Sequence, residues 1–350
     1  MAGVPSPARP LVVVTHRIHE QVKELLASGC TLVANDSSES WPREKILDLA
    51  KEADGLMVFM PDSVDEEFLK HCPRLKIIAA ALKGYDNFDV EACTRRGVWF
   101  TVPPDLLTAP TAELALGLIL GITRNILPGD TLVRSGRFQG WRPLLYGSGL
   151  HGRTVGIVGM GKLGCRLAQL LAGFEVTIYY ADRIQLPLAE ERRLCATRLE
   201  FDQLLSSSDV VVLLLPFTSS TSHIINAVTL RQMKEASYLV NVGRGSVVDE
   251  AAVAEALSAG HLAGYAADVF EMEDWARPDH PTCIPPKLLT DSARTLFTPH
   301  LGSAVKEVRL QIELAAARNI LQVFEGQPPA DAINRPASIR RVTASADQRK

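Results

Sequence analysis

The sequence predicts an α/β chain of two domains, each built on a parallel sheet. Three observations predict it. The chain has 350 residues, a length that accommodates about two domains. Short β-branched or aliphatic runs alternate with helical periods along most of the chain. A glycine-spaced turn, Gly159-x-Gly161-x-x-Gly164, falls where one such run meets the helix after it.

The first series opens with "PLVVVTH", a buried strand, and "HEQVKELLASG", an amphipathic helix ending at Gly29. "DGLMVFM" is the next strand, followed by "DEEFLKHC" and "LKIIAAAL", and "GVWFTVPP" closes this part. "TAPTAELALGLILGITRNI" then predicts a helix from Thr111 to about residue 126, with Thr111 as N-cap and Glu113 favourably charged near its start. It is apolar almost all round and must be covered on most sides, as a domain connector or part of a subunit interface. "RSGRFQGWRPLLYGSGLHGR", with five glycines and one proline, reads as a loop.

The second series runs "TVGIVGMGKLGCRLAQLLAGFEVTIYYADR", "DVVVLLLPFT", "SYLVNVGRGSVVD", "LAGYAADVFEMED" and "TLFTPH". Each strand is followed by polar or glycine-bearing residues at its C-terminal end, the edge where open α/β sheets bind ligands. A last helix from Ser303 to about Gln322 returns to the first domain, and the tail "RRVTASADQRK" reads as mobile.

Composition excludes several classes. Lys plus Arg number 37 against 40 Asp plus Glu, so there is no electrostatic footprint for nucleic acid or an acidic membrane. Six scattered cysteines without C-x-x-C spacing read as free thiols in a reducing compartment, and no histidine has metal-ligand spacing. No signal peptide is legible, and "LALGLILGI" is too short to span a bilayer. A cytoplasmic location follows by elimination.

The glycine turn has the full context of a dinucleotide site: strand before, helix after, and a second strand ending in Asp182, 18 residues beyond Gly164. Gly159 allows the tight turn, Gly161 lets the backbone approach a pyrophosphate, and Gly164 lets helix pack on strand. The helix N-terminus supplies N–H donors to the phosphates. Asp182 accepts from ribose hydroxyls and repels a 2′-phosphate, which favours NAD. Arg183 beside it could bind that phosphate, so secondary use of NADP is expected.

Three polar residues end successive strands of the second series: Arg244, Glu273 and His300. Singly, each is more often a solvated charge or a loop residue. Together they make a proton-transfer unit: Glu273 fixes the tautomer of His300, and Arg244 orients an anionic substrate.

The set "VGMGKLG", "NVGRGSVVDE", "AADVFEMED" and "TPHLGS" resembles the D-2-hydroxyacid dehydrogenase superfamily over positions 10–335. That resemblance implies two Rossmann-like domains with an interdomain cleft. The substrate domain, flavodoxin-like, would be residues 1–107 with 304–350, and the NAD-binding Rossmann domain residues 108–303. It also implies an Arg/Glu/His catalytic trio. "ALKGYDNFDV", "RSGRFQGW", "GYAADVFEMEDWAR" and "HLGSAVKEVRL" further resemble the phosphite (phosphonate) dehydrogenase branch, which oxidises phosphite to phosphate with NAD. This narrower resemblance implies substrate-side roles for Lys83, Met60, Trp141, Tyr146, Ser303 and Arg309. For the cofactor it implies Thr111, Lys162, Leu163, Asp182, Pro216, Val242 with Gly243, and Asp268, with Arg244 and His300 near the nicotinamide. It implies a homodimer as well.

Phosphite is a compact dianion without an apolar tail. Lys83, Arg244 and Arg309, drawn from both domains, would suit it better than a 2-hydroxy acid, which needs one arginine and a pocket. On that reading His300, held by Glu273, takes the proton of the water that attacks phosphorus. Two alternatives remain. One is a D-2-hydroxyacid dehydrogenase or glyoxylate/hydroxypyruvate reductase acting on a small keto acid, with the same trio. The other is a non-catalytic dinucleotide sensor, which predicts a lost trio.

Overall fold

The computed structural model describes residues 9–274, 277 and 279–336. The tail "RRVTASADQRK" lies outside them. The chain divides into two compact units, residues 1–106 with 306–350, and residues 107–305.

The first unit contains β1 (Leu11–Val14), α1 (Glu20–Gly29), β2 (Thr31–Ala34), α2 (Arg43–Ala50), β3 (Gly55–Val58), α3 (Glu66–Lys70), β4 (Ile77–Ala80), α4 (Val90–Arg95) and β5 (Trp99–Thr101). Its strands pair in parallel in the order β2-β1-β3-β4-β5. Runs such as Ile77–Ala80 are buried at every position, as sheets covered on both faces require. Asp65 and Asp89 cap α3 and α4 by accepting from Phe68 N and Ala92 N.

The second unit contains α5 (Thr108–Thr123), α6 (Ile126–Arg134), β6 (Thr154–Val158), α7 (Lys162–Leu171), β7 (Thr177–Ala181), α8 (Leu188–Leu194), β8 (Ala196–Arg198), α9 (Phe201–Ser207), β9 (Val210–Leu213), α10 (Ala227–Gln232), β10 (Ser237–Asn241), α11 (Glu250–Ser258), β11 (Leu262–Ala267), α12 (Pro286–Thr290) and β12 (Thr295–Phe297). The parallel sheet runs β12-β11-β10-β9-β6-β7-β8. The chain leaves β6 toward β7 on one side and reaches β9 on the other, so β6 marks the switch point where such sheets bind ligands. The strand period of two splits the core: Val210 and Val212 pack with α5 and α7, whereas Val211 and Leu213 pack with α9 to α11.

The last helix, α13 (Lys306–Phe324), packs in the first unit against α1, β3 and β4. Gly29 and Gly55 give it room, since a Cβ on either would press on Leu321 or Phe324.

Several expectations need correction. The apolar helix starts at Thr108, so Thr111 lies in its first turn and is not its cap. Pro110 causes no break, because proline is tolerated where the N–H has no partner to lose. α5 is a core helix of the second unit, packed on α7 and on β10 to β12. α13 begins at Lys306, not Ser303. Residues 301–305 instead form short turns, closed by Ala304 N to Leu301 O and Val305 N to Ser303 O. Arg309 therefore stands in the helix's first turn. The expectations named neither the strands β2 and β8 nor the helices α2, α4, α6 and α8 to α12.

Candidate active site

The turn after β6 follows its glycines. Gly159 has φ 99, a left-handed conformation that favours glycine. A Cβ on Gly164 would collide with Gly159 O, so only glycine lets α7 start that close to the turn. Gly161 is the N-cap of α7, and a Cβ there would meet open space. Nothing in the fold demands a glycine at 161, whereas a phosphate approaching the backbone would. The turn therefore fits a dinucleotide. Lys162 is exposed and Leu163 half-buried at the start of α7.

Asp182 follows β7. Its Oδ2 accepts from Met160 N at 2.7 Å, and its Oδ1 from Ile184 N at 3.1 Å. The carboxylate is thus tied to the glycine turn. Arg183 is exposed. Arg198, on β8, donates Nη2 to Asp182 O at 3.0 Å, and its buried Nε has no hydrogen-bond partner.

The trio collects at the C-terminal ends of β10, β11 and β12. His300 Nδ1 lies 2.7 Å from Glu273 Oε2, while Glu273 Oε1 accepts from Phe270 N at 2.9 Å. A carboxylate on Nδ1 places the ring proton there and leaves Nε2 for proton exchange. His300 has φ 54, costly for a residue with a side chain and sustained only by surrounding bonds. Asp268 supplies them. Its Oδ1 accepts from Thr298 Oγ1 and Leu301 N, both at 2.6 Å, and its Oδ2 from Gly302 N at 2.9 Å. His300 N donates to Asp268 O at 2.9 Å. Burial nonetheless raises the Asp268 carboxyl above its usual range, against those bonds and the nearby His300.

Arg244 follows β10 in a turn shaped by Asn241. Asn241 Nδ2 donates to Arg244 O at 2.8 Å, and Gly243 N donates to Asn241 Oδ1 at 3.1 Å. Arg244 Nη1 donates to Gly243 O at 2.9 Å. Gly243 packs too close to Leu215 for a Cβ, and Val242 is buried beside it.

The remaining expected residues divide between the units. In the second unit Thr111 Oγ1 donates to Gly302 O at 3.1 Å, joining α5 to the His300 turn. Pro216 is exposed after β9, and Ser303 is half-buried. Trp141 and Tyr146 are 84% and 78% exposed, so within this chain they wall no pocket. In the first unit Met60, Lys83 and Arg309 lie around the C-terminal ends of β3 and β4. Arg309 Nη1 donates to Ala81 O at 3.2 Å, and its guanidinium stacks over Phe59 at 5.6 Å. Burial lowers its pKa, opposed by Glu313, whose Oε1 is 3.9 Å away. Lys83 is exposed.

Sequence reasoning missed Asn241, Arg198 and Thr298. Only their places at strand ends could have marked them.

A sequence profile of the D-isomer specific 2-hydroxyacid dehydrogenases, NAD-binding domain, matches residues 116–302. A glyoxylate reductase from Thermofilum pendens is 38% identical over 339 residues, covering 94% of this chain and 95% of that protein. One from Aeropyrum pernix is 37% identical over 332 residues, covering 93% and 96%. Among solved structures, the NADPH-dependent glyoxylate/hydroxypyruvate reductase of Sinorhizobium meliloti, in complex with NADP and malonate, superposes with TM-score 0.80. It is 29% identical and covers 95% of this chain and 99% of that one.

These relatives overturn the expectation of phosphite oxidation, because they are named for reduction of a 2-keto acid. The structure adds a physical reason. The case for a dianion leaned on Arg309 as a spare cation, yet its guanidinium is engaged by Ala81, Phe59 and Glu313 within its own unit.

Proposed function

This chain belongs to the D-isomer specific 2-hydroxyacid dehydrogenases, and from that premise we propose that it reduces a small 2-keto acid of the glyoxylate or hydroxypyruvate kind. The observation that carries the reading is the 2.7 Å contact between His300 Nδ1 and Glu273 Oε2, in the same unit as the NAD-binding turn. Such a substrate carries one carboxylate beside its carbonyl, and one arginine answers it.

Reduced nicotinamide, when bound, supplies the hydride. Arg244 binds the substrate carboxylate through its forked N–H groups and so orients the carbonyl. His300 gives a proton from Nε2 to the carbonyl oxygen as charge develops there. Glu273 holds Nδ1–H, fixes the ring plane and stabilises the charged imidazole before transfer. Asp268 and Thr111 hold the turn that carries His300. In the reverse direction the same histidine accepts the proton of a 2-hydroxy acid.

Asp182 supports NAD as the first cofactor, since its carboxylate repels a 2′-phosphate. Exposed Arg183, with Arg198 bonded to Asp182 O, supports secondary use of NADP. The partner we infer is a second copy of the chain. α6 buries none of its residues, and Phe138, Trp141 and Tyr146 in the loop after it are 51%, 84% and 78% exposed.

The test is oxidation of NADH and NADPH with glyoxylate, hydroxypyruvate and pyruvate. Turnover of one or more of these keto acids is expected. No keto-acid turnover, with NADH formed from phosphite instead, overturns the reading.

A further inference from the structure

Two residues before Glu273 lies a second carboxylate, Glu271, which the reaction above does not use. Both belong to one short 3-10 turn, Glu271–Glu273. Glu271 is only 6% exposed. Its Oε1 accepts from Glu250 N, the first residue of α11, at 3.1 Å. Its own N donates to Glu250 Oε1 at 2.9 Å, so the two glutamates clasp each other through reciprocal bonds. Its Oε2 accepts from His223 Nε2 at 2.7 Å and from Arg277 Nη1 at 2.8 Å. Arg277 Nη1 also lies 3.1 Å from His223 Nε2. Arginine only donates, and a Nε2 that donates to Glu271 cannot accept, so that contact joins two donors around one carboxylate oxygen.

The Arg244 turn is locked against the same piece of chain. A Cβ on Gly245 would collide with the Phe270 backbone. Ser246 N donates to Asp274 Oδ2 at 2.5 Å. His223 N donates to Ser246 O at 2.8 Å, and Ile225 N to Val247 O at 3.0 Å. Segments following β9, β10 and β11 therefore meet behind the trio, and one carboxylate ties residues 223, 250 and 277 together.

We propose that Glu271 is a positioning residue, which acts through Glu273 by holding its turn in register with the Arg244 turn. The inference rests on the roles given above to Glu273 and His300. A buried ionic cluster is weak evidence for stability, because its desolvation offsets its attraction. Geometry is where such a cluster matters, since a shift of about 1 Å at a reacting group costs on the order of a hundredfold in rate. The titratable and charged groups around Glu271 are Glu250 on α11, Tyr265 on β11, His223 before α10, Arg277 with its partner Asp279, and Glu273 and Asp274 of its own turn, with Arg244 beyond Asp274. Burial raises the carboxyls of Glu250 and Asp274, and it is Glu271 that the side chains of His223 and Arg277 bond.

The experiment compares wild type with Glu271→Gln by steady-state keto-acid reduction across pH, and by NMR titration of the His300 ring. Expected are a roughly ten- to hundredfold fall in kcat, an unchanged KM for NADH, a displaced basic limb of the kcat profile, and a displaced His300 titration. Wild-type kcat, or a lowered kcat with the His300 titration unmoved, overturns the proposal. Absence of keto-acid turnover in wild type is a failure of the functional reading alone, and the NMR comparison still decides the inference. Should Glu271→Gln not fold, His223→Asn removes one donor at a position of φ 46, a conformation asparagine tolerates. The same displacements, smaller, are then expected, and an unmoved His300 titration overturns the proposal.

Discussion

Glu273 holds His300 with one oxygen and its own turn with the other: Oε2 lies 2.7 Å from His300 Nδ1, and Oε1 accepts from Phe270 N at 2.9 Å. The bond that fixes the ring is thus made by a carboxylate that cannot swing freely. Glu273→Gln keeps the shape and removes the charge that stabilises the protonated ring. Steady-state reduction of the keto acid should show kcat lower by roughly 10²–10⁴. The thermal melt should change little, because Glu273 is only half-buried. Wild-type kcat in the variant would remove Glu273 from the proton-transfer unit.

At the cofactor end, Asp182→Asn keeps an acceptor for Met160 N and removes the negative charge. A hydrogen bond to a charged group is worth about 1.5–3 kcal/mol. The ratio of kcat/KM for NADH over NADPH should accordingly fall on the order of ten- to a hundredfold. An unchanged ratio would mean that Asp182 does not read the ribose.

Glu250 predicts a pH dependence of stability. It is fully buried, its Oε2 has no hydrogen-bond partner, and burial pushes its carboxyl from about 4.5 up to about 8, with Glu271, Glu273 and Asp274 adding to the rise. A raised folded-state pKa means that stability is full below the unfolded value near 4.5 and is lost as pH rises through about 8. Glu250→Gln mimics the protonated form. Thermal melts should show the two proteins alike near pH 5 and the variant more stable, by up to several kcal/mol, above pH 8. Parallel melting curves across that range would refute the assignment.

For self-association, light scattering should give twice the chain mass. Replacing Phe138, Trp141 and Tyr146 with serine together should lower that mass toward one chain, with little change in the melting of the monomeric unit. A monomeric wild type would refute the dimer.

The parts of the fold legible in the sequence were those with strong local chemistry. Gly159, Gly161 and Gly164 mark the β6–α7 turn because only glycine meets the steric demands at 159 and 164, and a phosphate approaching the backbone suits glycine at 161. Fully apolar strands such as Val210–Leu213 announce themselves. Three of the omitted elements carry weak or misleading local signals. β2 and β8 are edge strands of four and three residues with exposed or half-buried positions, so their pattern is faint. α6 carries Pro128 and Gly129, which read as breakers although Pro128 lies in the first turn. Arg244, Glu273 and His300 were legible as strand-end residues. What was not legible is engagement. Arg309 looks like a spare cation in the sequence, and only the fold reveals the carbonyl, ring and carboxylate around it.

The return of α13 to the first unit has a consequence during synthesis. Residues 107–305 form an uninterrupted stretch that can fold as soon as it leaves the ribosome. Residues 9–106 cannot complete their packing until Lys306–Phe324 follows, because that helix packs on α1, β3 and β4 and buries its own Ile312, Ala316 and Ile320. The part of the chain made first is therefore finished last. A nascent chain halted at Val305 lacks the helix that packs on β3 and β4.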